Sequence, residues 1–215
     1  MLQNPKFKML KELETCYYVY SLFKTYYQGD WQKISQALQA AAYHQGDHLQ
    51  GAESTDNPLL KKIAEMNLVL DENSIYEYNK LFVGPGKLLA PPFESSYRNQ
   101  LGLVMQEETL AVRKFYAKIG VEVKDKNSIP DDHLMLELEF ICYLLAEAVK
   151  QVEKEQIPSA KEYLLLYSMF FAEHIKPWVY EHCNDVLQHG LNPFCRGMAE
   201  LLKEFLQREE RELSI

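Results

Sequence analysis

Apolar side chains recur between Phe7 and Tyr27 at Leu10, Leu13, Tyr17, Tyr20 and Phe23, the three-and-four spacing of one helix face. Gly29-Asp30 ends that run, and Trp31 to Tyr43 repeats the pattern. A polar segment follows, "HQGDHLQGAESTDNP", and Pro58 then suits the first turn of a helix over "PLLKKIAEMNLVL". "DENSIYEYNKLFV" predicts another helix, with Asp71 or Ser74 as its N-cap. Further on, Gln100 to Ile119 reads as helix ended by Gly120, and "VEVKDKNSIP" as a connection. "DDHLMLELEFICYLLAEAVKQVEKE" predicts a long helix with acidic residues at its positive end. Pro158 opens a run reaching Ile175, Pro177 should kink or restart it, and Gly190 should stop it. "NPFCRGMAELLKEFLQREERE" is the last helix. No window alternates with period two over a useful length. The pattern predicts an all-α chain of roughly nine or ten helices, a single globular helical domain over residues 1–215.

One stretch interrupts this regularity. "LFVGPGKLLAPPFESSY", from Leu81 to Tyr97, concentrates glycine and proline in a chain that has only 9 of each. It is apolar and stiff, whereas connections between helices are mostly short and polar. It is a candidate hinge between an N-terminal and a C-terminal helical subdomain, a candidate ligand wall, or a buried connection.

Composition narrows the function. Hydrophobic residues make up 47% and charged residues 25% of the 215, as in ordinary globular proteins. The net charge of -8 argues against nucleic acid and favours a cationic partner such as a basic peptide. Cys16, Cys142, Cys183 and Cys195 form no CxxC, which points to free thiols in a reducing compartment. The charged first residues do not read as a signal peptide, and no apolar run reaches the roughly 18 residues of a membrane span. The expected location is the cytoplasm, with no membrane insertion.

Candidate chemistry is sparse. "GPGK" lacks the spacing and the Ser or Thr of a phosphate loop, and Pro85 has no N–H to offer an anion. His44 and His48 stand four apart, but across a glycine in a polar loop, and the scattered His174, His182, Cys183, His189 and Cys195 show no recognised metal-ligand spacing, so all are read as ordinary surface and core residues. There is no GxSxG elbow, and Ser95 and Ser96 are read as helix-capping residues. "PDDH" is more informative. His133 and Glu137 stand four apart, beside Leu134, Leu138, Ile141 and Leu145. On a helix that spacing puts imidazole and carboxylate on one face, either as a cap with a surface ion pair or as a polar anchor at an apolar groove.

These segments resemble the TorD/DmsD family of cytoplasmic chaperones for redox enzymes. Tyr78, Leu81, Phe82, Gly84, Pro85, Pro91, Pro92, Phe93, Ser95 and Tyr97 match its first signature, and Pro130, Asp132, His133 and Glu137 its second. His174, Pro177 and Trp178 match a weaker third block. The blocks cover about half the chain; Glu94 and Phe93 depart from some members, which have Gly and Trp there. The resemblance implies an all-helical, non-enzymatic protein without a cofactor. It would bind the twin-arginine signal peptide of a molybdenum-cofactor reductase and hold the apo-enzyme before export. Some members bind GTP weakly, so a GTP-dependent switch or hydrolase using the same cleft is the alternative. A monomer or a domain-swapped dimer is expected. In this reading Leu81, Phe82, Pro91, Pro92, Phe93 and Tyr97 are apolar wall. Asp131, Asp132, Glu137 and Glu94 form an acidic rim that meets the arginines, with His133 protonated beside Glu137.

Overall fold

Nine α-helices and one π-helical turn make up the regular structure among the described residues: α1 (Pro5–Gln28), α2 (Trp31–Gly46), α3 (Glu72–Phe82), α4 (Glu94–Arg98), α5 (Glu107–Ala117), α6 (Leu134–Glu153), α7 (Ile157–Phe170), the π turn (Phe171–Ile175), α8 (Val179–His189) and α9 (Pro193–Glu212). No strand forms among them; one isolated antiparallel bridge joins Phe93 and His133. The computed structural model describes residues 5–46, 61–62, 65–66, 68–99, 101–124 and 128–213, and the backbone alone for 40–46. The side chain of His44, all of His48, most of the polar segment and the helix start expected at Pro58 lie outside the described residues. No helix among the described residues is long and apolar enough to cross a membrane.

The chain divides into two compact units, but not into N- and C-terminal halves. The first gathers Met1–Gln28, Pro92–Val179 and Leu213–Ile215; the second gathers Gly29–Pro91 and Tyr180–Glu212. One crossing falls between Pro91 and Pro92, inside the Gly/Pro stretch. The subdomain boundary expected there exists, but the helix at the chain's start belongs to the same unit as α4 to α7.

In the first unit α1 and α7 both pack along α6. Leu134, Leu138, Ile141 and Leu145 are all fully buried, so the apolar face read from their spacing is core. Aromatic rings meet edge to face within it: Phe170 lies 4.7 Å from Phe140 and 5.2 Å from Phe115 between centroids. The Tyr20 and Tyr167 hydroxyls meet at 2.9 Å, tying α1 to α7. Pro177 sets the end of α7. Lacking an N–H, it leaves the Glu173 carbonyl without its helical donor, and the chain takes a π turn in which Lys176 N–H bonds Phe171 O at 2.9 Å. Arg98 Nη1 donates to the freed Glu173 oxygen at 3.1 Å, and the Trp178 indole donates to His174 O at 2.5 Å.

The helix expected from Gln100 begins only at Glu107. Asn99 is the reason. Its Oδ1 accepts from the N–H groups of Leu101 and Leu103 at 3.0 and 3.1 Å, and its amide donates to Leu103 O at 2.6 Å and to Ser95 O. The side chain thus competes with the helical ladder. Gly102 (φ +62°) and Met105 (φ +60°) then take left-handed conformations that end any helical continuation.

In the second unit Asp71 is the N-cap of α3, its carboxylate accepting from Ser74 N at 2.8 Å in a reciprocal capping box. Trp31, Tyr78, Phe82 and His182 form a chain of rings at centroid separations of 4.6, 4.9 and 5.7 Å. Glu77 is buried and accepts from Leu191 N at 2.6 Å. Cys142 in the first unit and Cys183 in the second are free and buried, and burial pushes both thiols up to about 12.

Candidate functional site

The two sequence signatures are joined in the first unit by backbone. Glu94 N bonds Asp132 O at 3.0 Å and Leu134 N bonds Pro92 O at 2.9 Å, on either side of the Phe93–His133 bridge. Pro92 can serve here because only its carbonyl is used. The half-buried Phe93 ring meets the His133 ring edge to face at 4.9 Å. Ser95 N donates to Asp132 Oδ2 at 2.9 Å, and Thr109 Oγ1 donates to Asp132 Oδ1 at 2.7 Å. One fully buried carboxylate therefore fastens α4 and α5. Asn99 lies between those helices in sequence and shapes the loop that joins them.

Around this knot lie three more buried acids. Asp131 Oδ2 takes two bonds from Arg113, at 3.0 and 2.5 Å, and its backbone oxygen accepts from Tyr116 at 3.2 Å. Glu94 is bound by Arg98 and faces His174 Nδ1 at 3.0 Å. Glu137 is the exception: both of its oxygens are buried and neither has a hydrogen-bond partner within 3.5 Å. Burial first, then the nearby Glu94 and Asp132 charges, push its carboxyl well above the usual range; the Trp178 indole is near enough to oppose this only weakly. Glu137 is the acid pushed towards its neutral form, because Arg98, Arg113, Thr109 and the Ser95 N–H are taken up by the other three.

These positions correct the open-rim picture. Asp131, Asp132, Glu94 and Glu137 are all buried. Asp131, Asp132 and Glu94 already hold partners within the protein. His133 does not pair with Glu137. It is the N-cap of α6, its Nδ1 accepting from Met135 N at 3.1 Å. That bond needs a neutral ring, and burial lowers His133 to about 4, with Asp132 opposing. The protonated His133 expected from three nearby acids is therefore overturned: two of them face other partners and desolvation prevails. The capping role expected of Ser95 and Ser96 also fails. Their hydroxyls are buried without partners and Phe93 is the N-cap of α4. Tyr97 is half-buried and stacks on Trp178 at 5.5 Å, and Pro130 is half-buried with its oxygen accepting from His133 N.

The rest of the first signature belongs to the second unit. Tyr78, Leu81 and Phe82 are core there rather than exposed wall. Gly84 and Gly86 have φ of +103° and +119°, a conformation open to glycine but strained for other residues. Pro85 between them is exposed and Pro91 half-buried, and Ala90 N returns to Leu81 O at 3.1 Å. Sequence reasoning missed Thr109, Arg113 and His174 as partners of the buried acids; only the i, i+4 spacing of Glu94 and Arg98 was visible in advance. No group of three or more metal-ligating side chains converges among the described residues. Tyr116 also lines a cavity of about 450 Å³ shared with Met135, Phe140 and Tyr143.

Two expectations follow for single residues. Phe93→Ala should cost about 1–2 kcal/mol in urea denaturation, the worth of a half-buried aromatic pair, and leave the helical circular dichroism intact. Because the neutral native His133 binds a proton less readily than an unfolded histidine, its contribution to stability is whole above about pH 6.5. It is lost as pH falls towards 4. His133→Gln should remove that rise and leave stability falling more steeply with pH between those values.

The all-helical first unit thus knots together the Pro-Pro-Phe and Pro-Asp-Asp-His segments that carry the resemblance to the TorD/DmsD chaperones. The chain belongs to the family described as nitrate reductase delta subunit, whose model matches residues 30–184, and within it to the TorD/DmsD group of chaperones. A Tat proofreading chaperone DmsD from Salmonella typhimurium is 25% identical over 170 residues, covering 79% of this chain and 76% of that protein. A probable Tat proofreading chaperone DmsD from Haemophilus influenzae is 26% identical over 146 residues, covering 68% and 64%. A chaperone protein TorD from Vibrio parahaemolyticus is 25% identical over 137 residues, covering 64% and 62%.

Proposed function

We propose that this chain binds the twin-arginine leader of a molybdenum-cofactor reductase in the cytoplasm and holds the apo-enzyme until its cofactor is inserted. The observation that carries the reading is the knot between Phe93, Asp132 and His133, because it unites the two segments by which the sequence resembles the TorD/DmsD family. The knot contains no exposed nucleophile with a neighbouring base, which suits binding rather than turnover. A net charge of -8 favours a basic peptide.

Association with a candidate reductase precursor tests this. Apo-precursor with its leader should bind, and the same precursor lacking the leader should bind much more weakly. A structural subunit of the mature enzyme would show the reverse preference. GTP added without peptide serves as the arm for a hydrolase, which would release phosphate; the proposal expects none.

A further inference from the structure

The knot holds up something that the sequence pattern concealed. Between α4 and α5 the chain exposes Leu101, Leu103, Val104 and Met105 in one loop, with Leu110 exposed on the following helix. Leu101 is 79% and Met105 60% accessible, a concentration of apolar surface that a soluble chain rarely leaves without use. The loop is shaped from within. Asn99 binds the backbone at Ser95, Leu101 and Leu103, Gly102 N returns to Asn99 O at 3.3 Å, and Gln106 Nε2 donates to Val104 O at 2.9 Å. Its two flanking helices are both fastened to Asp132. An apolar surface ordered in advance loses less entropy on binding than a floppy one.

Charge says what the surface fits. Glu107 and Glu108 follow the loop directly, at the start of α5. Glu107 is exposed, and Glu108 Oε2 is shielded from solvent with no hydrogen-bond partner. Two acidic residues, the exposed Glu107 and the half-buried Glu108, beside an apolar ridge suit a ligand that carries a guanidinium next to an apolar run. We infer that the loop at 101–105, with Leu110, Glu107 and Glu108, is the docking surface for the leader: its apolar segment covers Leu103 and Met105, and its arginines meet Glu107 and Glu108. This rests on the leader-binding reading and moves the contact from the buried motif acids to the loop that they support.

The test uses the full chain and a labelled synthetic twin-arginine leader. Leu103→Ser combined with Met105→Ser should weaken binding by about tenfold or more, while thermal melting stays at the wild-type value because both side chains are exposed. Glu107→Gln with Glu108→Gln should weaken the twin-arginine leader several-fold, yet leave a leader with both arginines changed to glutamine unaffected. In the wild type, deuterium exchange over 101–110 should slow when leader is added. If the wild type binds and the loop variants bind within about twofold of it, the loop is overturned and leader binding stands. Protection confined to the cavity at Met135 and Tyr143 has the same meaning. If the wild type binds no leader, both ideas fall. If the loop variants change only self-association, the surface belongs to a second copy and the inference is overturned.

Discussion

Asp132→Ala is expected to destabilise the chain by about 2–4 kcal/mol, the largest loss from any single acid in the knot. Asp132 is fully buried, and its removal strands two donors at once, Ser95 N–H and the Thr109 hydroxyl. A buried donor left unpaired costs about 1–3 kcal/mol. Relief of the repulsion felt by Glu137 offsets part of this. Asp131→Ala should cost about 1 kcal/mol or less, because its partner Arg113 is 46% exposed and can return to water. Leader affinity should follow the same order, since α4 and α5 frame the loop that Asp132 holds. Urea denaturation of the two variants checks the difference; equal losses would mean that Asp132 fastens nothing.

Glu137→Gln is expected to stabilise the chain at pH 8 by more than about 1 kcal/mol and to remove a slope from its pH profile. An unfolded glutamate releases its proton near 4.3, whereas the native Glu137 holds it to well above that. Between those values the native state binds the extra proton, so stability is greatest below the unfolded value and declines as pH rises, by at most about 1.4 kcal/mol per unit. His133 acts in the opposite sense between about 4 and 6.5, and masks part of the decline there. Above 6.5 His133 no longer masks it, and above about pH 8 the buried Cys142 and Cys183 thiols add a decline of the same sign. Glutamine keeps the shape, carries no charge to bury and can donate to Glu94. Denaturation midpoints from about pH 5 to about pH 8, below the cysteine range, check this; a variant with the wild-type profile over that range would show that the native carboxyl of Glu137 is not raised.

The helical class was legible because every long segment repeats its apolar residues at helical spacing, and the proline at 177 announced the break that became a π turn. The knot was legible only as two separate motifs. Nothing local told that Pro92 O and Leu134 N would meet. Motif acids look like surface acids in sequence, because Arg113 and Thr109, which take up Asp131 and Asp132, stand some twenty residues away. The same blindness hid the loop at 101–105. Its leucines, valine and methionine fit a helical pattern, and only the bonds of Asn99 and the left-handed Gly102 and Met105 show why no helix forms. Leu81 and Phe82 mislead in the other direction: apolar residues in a Gly/Pro stretch suggested a binding wall, whereas both are core of the second unit.

The most direct measurement is an anisotropy titration of a labelled twin-arginine leader with the purified wild-type chain, repeated with a leader whose two arginines are glutamine and whose apolar residues are serine. Saturable one-to-one binding of the first, lost with the second and weakened by salt, is the predicted result. A correctly folded chain that binds neither leader, or both equally, would contradict the account.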